Sequence, residues 1–480
     1  MSFDFHYHPS RHSARHIVLW IVAIAFFMEN LDSTILVTAI PHIAFAFGVY
    51  PLALRVTLTS YLISVAMMTA FSAWLGDRFG SKPVFILALF IFTLGSWLCA
   101  LSYNLNMLIM ARVLQGMGGG LMIPTARIMV MTSFPRSEMT RLLSLIAMPV
   151  LVGPMLGPLV GGAITTYGNW RWIFYINIPI GFLGIFATMR YFIELGKRTP
   201  RSLDFLGFVY AAVGLAMLSY FLEVANDPNM VSLTKGMIFL VAVGSLYAYS
   251  EHAKRSKNPL VDLKIFDIRT YRLTFFAQFV FRLSSGGLSF ILPLMLQLEF
   301  GLNAFQAGLM FAAMPIGTLL TKSIVQKILK RFGFKKTVLV NTVLTSLAIV
   351  LMTQIHEPLN IVYTLMVFFL VGLTTSAQFT SLNSLLYADL NEAQITHGAT
   401  MMSLMQQIFT SIGIASVALI VECYAGTIHL TTGNLSAFHW TFFTLMMINL
   451  FNLFLLFRLR AEDGSSMVHR SGNQKFHRKK

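Results

Sequence analysis

Charged residues are scarce in this sequence, and their scarcity excludes most classes of soluble protein. Asp, Glu, Lys and Arg make up 11% of the 480 residues, apolar residues make up 56%, and mean hydropathy is +0.70. A soluble globular domain carries about 25% charged residues. We therefore expect the chain to lie in a membrane, where ionisable side chains are costly.

Cysteine is nearly absent as well, and this excludes a fold built on disulfides. Only Cys99 and Cys423 occur, and both are predicted to lie near the outer ends of helices. Two distant cysteines give no metal-ligand spacing, and the sequence contains no nucleotide-binding loop or nucleophile elbow. We therefore predict no metal site and no cofactor, and we do not expect an enzyme.

Long apolar stretches recur along the chain, and each is long enough to cross a bilayer. About 20 apolar residues suffice for one helical crossing, and about 14 such windows can be drawn. Their centres lie near Ile24, Met67, Phe92, Leu121, Leu151, Gly181, Gly214, Val241, Gly286, Ala313, Leu347, Phe369, Gly413 and Ile448. The predicted fold class is an all-α membrane protein with 14 transmembrane helices.

The basic residues are distributed unevenly between the gaps that separate these windows. With a cytoplasmic N-terminus, most of the 35 Lys and Arg residues lie in cytoplasmic gaps and tails. The outer gaps hold only Arg55, Arg171 and Lys235. Because basic loops stay on the cytoplasmic side, we predict a multi-pass protein with both termini in the cytoplasm. The net charge of +16 follows this pattern, so the expected partner is the lipid bilayer rather than a nucleic acid.

A short motif occurs twice and divides the chain into two halves. Gly76–Lys82 and Lys330–Lys336 share an Arg-Phe-Gly core, and Arg331 follows Arg78 by 253 residues. Each copy follows the second helix of a run of six. Two six-helix bundles with the substrate site between them form a transporter architecture.

This repeat predicts two pseudo-symmetric six-helix bundles with two inserted helices between them. The predicted segments are a cytoplasmic N-terminal tail (1–15), an N-terminal six-helix bundle (16–192), two linker helices with a basic cytoplasmic segment (193–268), a C-terminal six-helix bundle (269–460) and a cytoplasmic tail (461–480).

Two carboxylates lie within the first apolar window. Glu29 and Asp32 are three residues apart and therefore share a helix face. A charge at the bilayer centre costs about 2.5–3.5 kcal/mol, so carboxylates there indicate a functional site. Burial and mutual repulsion both favour proton binding, which suits a site that loads and unloads protons. The alternative is that one or both carboxylates are permanently paired with an arginine.

The fourth and fifth helices carry glycine patterns beside charged or bending residues. In the fourth helix, Arg112 shares a stripe with Gly116 and Gly119, and its expected partner is a first-helix carboxylate. In the fifth helix, glycines four residues apart make a smooth face for close packing, and prolines permit bending. Such a helix can act as a hinge or as a seal. The predicted fifth-helix motif comprises Gly153, Gly157, Pro158, Gly161 and Gly162.

The ninth helix contains Arg282, which the repeat separation places opposite Glu29. We hypothesise that these two side chains face each other across a central cavity and exchange partners during transport. The residues predicted to line the cavity are Glu29, Gln115, Arg282, Gln378, Asn383 and Gln406. For the last three, hydrogen bonding between helices is an equally good interpretation.

Together these motifs resemble the major facilitator superfamily, in particular its 14-helix drug:proton antiporter branch. The similarity covers roughly residues 16–460 and includes five motifs in order. They are Phe27–Pro41, Gly76–Lys82, Arg112–Gly118, Gly153–Gly162 and Trp170–Gly181. The first of these departs from the family, which usually has Asn about where Val37 or Thr38 stands here.

The resemblance implies a bacterial inner-membrane protein that exports drugs or other small amphipathic molecules by proton-coupled alternating access. It implies that Asp32 and Arg112 take part in proton coupling, to which we add Glu29, and that Gly157–Pro158 blocks leak. It also implies a conformational latch around Asp77 and Arg78, for which a plain turn with solvated charges is the alternative. The predicted latch residues are Gly76, Asp77, Arg78, Gly80, Lys82, Arg331 and Gly333.

Two other functions fit the same sequence. A transporter of this fold could instead import or export a dedicated metabolite or a metal chelate. A membrane receptor that no longer transports is the other alternative, although its charged intramembrane residues would then serve no purpose. Protons and a small-molecule substrate are the expected partners, and the sequence is compatible with a monomer.

Overall fold

The computed structural model describes residues 10–134, 138–192, 204–225, 230–256, 259, 263–356, 358–426 and 434–464. Most of the two predicted tails, 1–15 and 461–480, lies outside these residues. The described part of the chain is helical and contains no β-strand. The prediction of an all-α protein is therefore confirmed.

The first half of the chain forms eight helices, the shorter of which continue or cap the longer ones. They are α1 (Ser10–Ile35), α2 (Ile40–Phe47), α3 (Arg55–Phe79), α4 (Ser81–Ala100), α5 (Leu105–Ser133), α6 (Met139–Tyr167), α7 (Trp172–Tyr175) and α8 (Asn177–Tyr191). Short 3-10 turns at Val37–Ala39 and Pro51–Leu54 join α1 to α2 and precede α3.

Two helices, α9 (Phe205–Val224) and α10 (Ser232–Arg255), follow the first half and pack against each other. The Asp204 side chain accepts a hydrogen bond from the Gly207 amide, which caps the start of α9. The same carboxylate lies 2.6 Å from the ring of His252 near the end of α10. Asp204 therefore ties the two helices together at one end.

The second half forms seven helices. They are α11 (Arg269–Ser285), α12 (Leu288–Leu298), α13 (Ala304–Phe311), α14 (Ala313–Leu351), α15 (Ile361–Leu386), α16 (Glu392–Ala425) and α17 (Leu435–Leu456). Further 3-10 turns cover Leu263–Asp267 and Met352–Gln354. Side chains of Asn303, Asn360 and Asn391 accept backbone hydrogen bonds at the starts of α13, α15 and α16, as N-cap residues do.

α14 reverses direction at Gly333, where φ is 75° and ψ is 170°. Before this glycine the Thr318 carbonyl lies beside Ser376 of α15, and at the end of α14 the Leu351 carbonyl lies beside Tyr363 of the same helix. A straight helix would separate Thr318 from Leu351 by about 50 Å, whereas 13 residues of α15 cover only about 20 Å. The chain therefore runs along α15 to Gly333 and returns as a second arm.

Twelve segments of the described chain are long and apolar enough to cross a membrane. One of them, Ala304–Gln354, has 51 residues and includes both arms of α14. The 29-residue helix α6 is not among the twelve. The structure thus supports a multi-span protein, while the count of 14 stays a prediction.

The two halves share an apolar core at one end of the molecule and have separate cores elsewhere. The shared cluster contains Ile40 from the first half and Phe290 from the second. A second cluster, around Phe134, contains only residues of the first half, and a third, around Phe334, contains only residues of the second. We call the end with the shared cluster the joined end. The halves also contact each other away from this end, where Ala70 of α3 packs against a cluster of the second half that contains Tyr271.

Candidate transport site

Asp32 of α1 and Arg112 of α5 form an ion pair that is enclosed by the first half of the chain. The Arg112 Nη1 atom donates to the Asp32 Oδ2 atom at 2.6 Å. Asp32 is 1% exposed and Arg112 is fully buried. The predicted pairing of Arg112 with a first-helix carboxylate is therefore confirmed.

The second carboxylate oxygen of Asp32 accepts hydrogen bonds from two amides. The side-chain nitrogens of Gln115 on α5 and Asn177 on α8 each donate to Asp32 Oδ1 at 2.8 Å. Gln115 also accepts from Arg112 at 2.7 Å and donates to the hydroxyl of Ser96 on α4 at 2.8 Å. Charge-assisted bonds of this kind are stronger than neutral ones. Asp32 thus bonds directly to α5 and α8, and Gln115 extends the network to α4.

The guanidinium of Arg112 also contacts α3. Its Nε atom donates to the Thr57 carbonyl at 3.3 Å, and its Cζ atom lies 4.0 Å from the centre of the Tyr61 ring. A cation over an aromatic face is attracted by the ring electrons. Five helices of the first half therefore meet at one buried charge pair, and a change at Asp32 acts on all of them.

Glu29 lies one turn before Asp32 in a very different environment. Its side chain is 3% exposed and faces Gly119, where an added Cβ would lie 3.5 Å from Glu29 Cγ. Within the described part of the chain, its carboxylate makes no hydrogen bond or ion pair. Glu29 and Asp32 share the face of α1 that contacts α5, as predicted, but only Asp32 is paired.

Among the described residues, the partners of Arg282 of α11 lie in the second half. Its Nη1 atom donates to the Thr410 hydroxyl of α16 at 3.1 Å, and its Cζ atom lies 4.7 Å from the centre of the Phe379 ring. No ion pair joins Arg282 to Glu29 among the described residues. The proposed exchange of partners between them therefore stays a prediction.

Of the polar residues predicted in the twelfth and thirteenth helices, one is placed away from any open space. Gln378 is fully buried, accepts from Asn341 at 2.9 Å and donates to Thr342 at 2.9 Å. It joins α14 to α15, which is the interhelical hydrogen bonding that the sequence left open as the alternative to cavity lining. Asn383 of α15 and Gln406 of α16 are half-buried, and the Gln406 side-chain nitrogen lies 3.5 Å from the Asn383 side-chain oxygen. That they line a cavity stays a prediction.

The glycines of α6 allow it to lie against α1. A Cβ added at Gly157 would lie 2.1 Å from Thr34 Oγ1, and one added at Gly161 would lie 2.1 Å from the Ile35 carbonyl oxygen. Real Cβ atoms do not approach other atoms so closely. The predicted smooth packing face of the fifth helix is therefore present, and it faces the helix that carries Asp32.

The same motif of α6 also contacts the second half at the joined end. A Cβ at Gly162 would lie 2.3 Å from the Ala304 carbonyl oxygen, and one at Gly308 would lie 2.3 Å from the Pro158 carbonyl oxygen. The Phe305 amide donates to the hydroxyl of Thr166 at 3.0 Å. The motif of α6 therefore contacts both α1 and the second half, while its role as a hinge or as a seal stays a prediction.

Thr38, at one of the two positions where the family usually has Asn, takes part in this contact between α6 and the second half. Its hydroxyl donates to the Pro158 carbonyl of α6 at 3.1 Å. Its carbonyl accepts from the Gln297 side chain of α12 at 3.2 Å. A threonine can therefore connect α1, α6 and α12 at the joined end without the amide that the resemblance leads one to expect.

The repeated loop motif adopts the same backbone conformation in both halves. Gly80 has a φ of 95° and Gly333 a φ of 75°, a region that L-residues with side chains avoid. The Gly80 amide donates to the Gly76 carbonyl at 3.0 Å, which closes α3. Lys82 then donates to backbone carbonyls at the end of α8.

The charged residues of the predicted latch do not bridge the two halves here. Asp77 is half-buried and has no hydrogen-bond or ion-pair partner in the described chain. The Cζ atom of Arg78 lies 5.2 Å from the centre of the Trp74 ring, and that of Arg331 lies 5.5 Å from the centre of the Phe332 ring. A latch formed by Asp77 therefore stays a prediction, for a conformation other than this one.

Comparison with known proteins identifies the family. A family model described as the Major Facilitator Superfamily matches residues 22–261 and 274–478. The chain belongs to the major facilitator superfamily. It is 36% identical over 445 residues to "Putative multidrug resistance protein MdtD" of Escherichia coli O9:H4 (strain HS), covering 92% of this chain and 94% of that relative. The protein of the same name from Escherichia coli (strain SE11) is 38% identical over 407 residues, covering 85% and 86%.

Solved structures of superfamily transporters share the fold. A peptide transporter POT in complex with sulfate aligns with a TM-score of 0.68 at 15% identity, over 97% of this chain and 99% of that chain. A D-xylose-proton symporter aligns with a TM-score of 0.66 at 11% identity, over 94% and 99%. The chain is thus a multi-pass membrane protein of a family of secondary transporters for small molecules.

Sequence reasoning found Asp32 and Arg112 but missed much of what surrounds them. Asn177, Ser96 and Tyr61 were not identified as site residues, although Asn177 lies in the segment that resembles the family's sixth helix. Short polar side chains are common in membrane helices, where they bond between helices. Their spacing therefore gives no signal that distinguishes a partner of Asp32 from any other interhelical contact.

Proposed function

We propose that this protein is a proton-coupled exporter of drugs and other small amphipathic compounds that works by alternating access. The observation that carries the proposal is the enclosed Asp32–Arg112 pair, which holds a titratable carboxylate at the meeting point of five helices. The names of its relatives support multidrug substrates. A buried charge pair without such a use is expensive to keep in a membrane.

Protonation of Asp32 is the step that couples proton binding to the conformational change. The ionised carboxylate attracts Arg112 and accepts from Gln115 and Asn177. When it is protonated, the attraction to Arg112 is lost and one oxygen becomes a donor. The packing of α1 against α5 and α8 then changes, and the population of the joined-end conformation shifts.

The charge pattern of the loops supports an orientation for this cycle. Both termini lie in the cytoplasm of a bacterial cell, and the chain spans the inner membrane. The joined end, which carries the turn after α6, then faces outwards, so the conformation described here is closed to the outside. Asp77 and Arg78 form their latch when the opposite ends meet.

The proposed number of crossings is 14. Helix α6, with 29 residues, supplies one crossing, and the two arms of α14 supply two. The proposed domains are bundles over 16–192 and 269–460, joined by the linker helices of 193–268. Glu29, Arg282, Asn383 and Gln406 line the cavity between the bundles.

Transport in proteoliposomes tests the function directly. With an imposed proton gradient, we expect ethidium export coupled to measurable proton entry, and we expect Asp32→Asn to abolish the gradient-driven component. Glu251→Gln neutralises an exposed carboxylate paired with Lys254 and serves as the matched control. Flux that neither depends on a proton gradient nor moves protons would contradict the proposal. Selective transport of one metabolite or metal chelate across a compound library would favour the alternative.

A further inference from the structure

A crevice outside the Asp32 site lies between the first half of the chain and the inserted helix α9. It has a volume of about 410 Å³ and is lined by α3, α5 and α9. Ligand sites for small molecules typically measure about 300–1,000 Å³ and are mostly apolar. None of the residues bonded to Asp32 lines this crevice.

The lining is apolar along most of the crevice and acidic at one end. Met67 of α3, Met117 of α5 and two alanines of α9, Ala212 and Ala216, line the crevice, and Glu223 lies near the end of α9. Methionine side chains adapt to ligands of different shape, and the two alanines leave the space open. The crevice therefore offers an adaptable apolar wall and one carboxylate.

Glu223 belongs to a group of three charged residues in which two carboxylates surround one guanidinium. Arg55 of α3 donates through Nε to Glu223 at 3.2 Å and through Nη1 to Glu422 of α16. The side chain of Arg55 is 3% exposed, that of Glu223 is 16% exposed and that of Glu422 is 4% exposed. Two carboxylates share one guanidinium, so the ionised group carries one net negative charge.

Lys235, on the second inserted helix, bonds to a backbone carbonyl close in sequence to Glu223. Lys235 of α10 donates to the Ala225 carbonyl at 3.0 Å, and it forms no ion pair with Glu223 or Glu422 among the described residues. An uncompensated charge in a low-dielectric region attracts a cation strongly. Glu223 is the more exposed of the two carboxylates, and it is the one that lines the crevice.

We propose that this crevice binds an amphipathic monocation, with its charged group beside Glu223 and its apolar body along Ala212 and Ala216. The charge of the bound cation compensates the negative charge that Arg55 leaves unpaired. The apolar body replaces contacts with lipid by contacts with Met67 and Met117. The proposal does not require proton-coupled export, because binding at this site can be measured without transport.

Binding of rhodamine 6G to the full-length protein in phosphatidylcholine nanodiscs tests the proposal. We expect Glu223→Gln to weaken binding at least tenfold. Ala216→Trp fills the crevice while leaving Arg55, Glu223 and Glu422 unchanged, and we expect a loss of similar size. Val213→Trp adds the same side chain to the exposed face of α9 and should bind as the unaltered protein does.

The variants also separate this site from the proposed transport site. Binding that is weakened by Ala216→Trp and kept in Asp32→Asn supports the crevice, whatever the outcome of the transport assay. Unchanged affinity in both Glu223→Gln and Ala216→Trp would overturn the proposal, provided that gel filtration shows both variants folded. Co-purified lipid that Ala216→Trp displaces, with no change in rhodamine 6G affinity, would identify a lipid site and would also overturn it.

Discussion

Lys82 and Lys335 make equivalent contacts in the two halves of the chain. Each lies two residues after a glycine with positive φ. Lys82 donates to carbonyls at the end of α8, and Lys335 donates to the carbonyl of Phe457 at the end of α17, at 3.1 Å. A cation near the last carbonyls of a helix is favourable because those groups carry partial negative charge. In each half, this contact ties the repeated loop to the last helix of that half.

Replacement of these lysines tests whether the contact holds the end of the last helix. We expect Lys82→Met to speed amide hydrogen exchange about two- to fivefold near Phe192, since such a contact contributes about 0.3–1 kcal/mol. Lys335→Met should act in the same way near Phe457 and leave Phe192 unaffected. Exchange measured by mass spectrometry that is unchanged in both variants would show that the contact contributes nothing.

The Asp32–Arg112 pair leads to a prediction about stability that is separate from transport. Arg112→Met leaves a buried carboxylate without its cation, and breaking such a pair costs about 3–5 kcal/mol. We expect the double variant Asp32→Asn, Arg112→Met to recover part of this loss, because no unpaired charge remains. Thermal unfolding in detergent measures both. A double variant that is no more stable than Arg112→Met would contradict this account of the pair.

The contact between α6 and α1 gives a prediction with an internal control. Gly157→Ala places a Cβ against the Thr34 hydroxyl, whereas Gly161→Ala places one against the Ile35 backbone carbonyl. Both changes should lower the melting temperature. Thr34→Ala should restore part of the stability of Gly157→Ala, because it removes the obstructing atom. It should not rescue Gly161→Ala, and equal rescue of both would show that the steric explanation is wrong.

How far the sequence predicts this molecule depends on the kind of signal. Helices, the Asp32–Arg112 pair and the turns at Gly80 and Gly333 were predictable, because long apolar runs, rare buried charges and repeated glycines stand out against their surroundings. The choice between cavity lining and interhelical bonding for Gln378 was not predictable, because hydrophobic periodicity is weak in a helix that is apolar on all sides.

Contacts between distant parts of the chain could not be predicted from the sequence. Arg55 reaches Glu223 and Glu422, which lie 168 and 367 positions away. The sequence places Arg55 in an outer gap and gives no sign that either glutamate is its partner. Only the packing of α3, α9 and α16 brings them together, and no local pattern in the sequence specifies that packing.

The last prediction concerns the partners of Arg282. In this conformation it bonds to Thr410, while Glu29 makes no bond within the described residues. If the two exchange partners during transport, Arg282→Ala and Glu29→Gln should each slow ethidium export, and the double variant should be no slower than the worse of the two. Independent residues would instead give additive losses. Thr410→Val removes only the observed hydrogen-bond partner of Arg282, so we expect it to keep transport. Normal export by Arg282→Ala would show that the exchange does not occur.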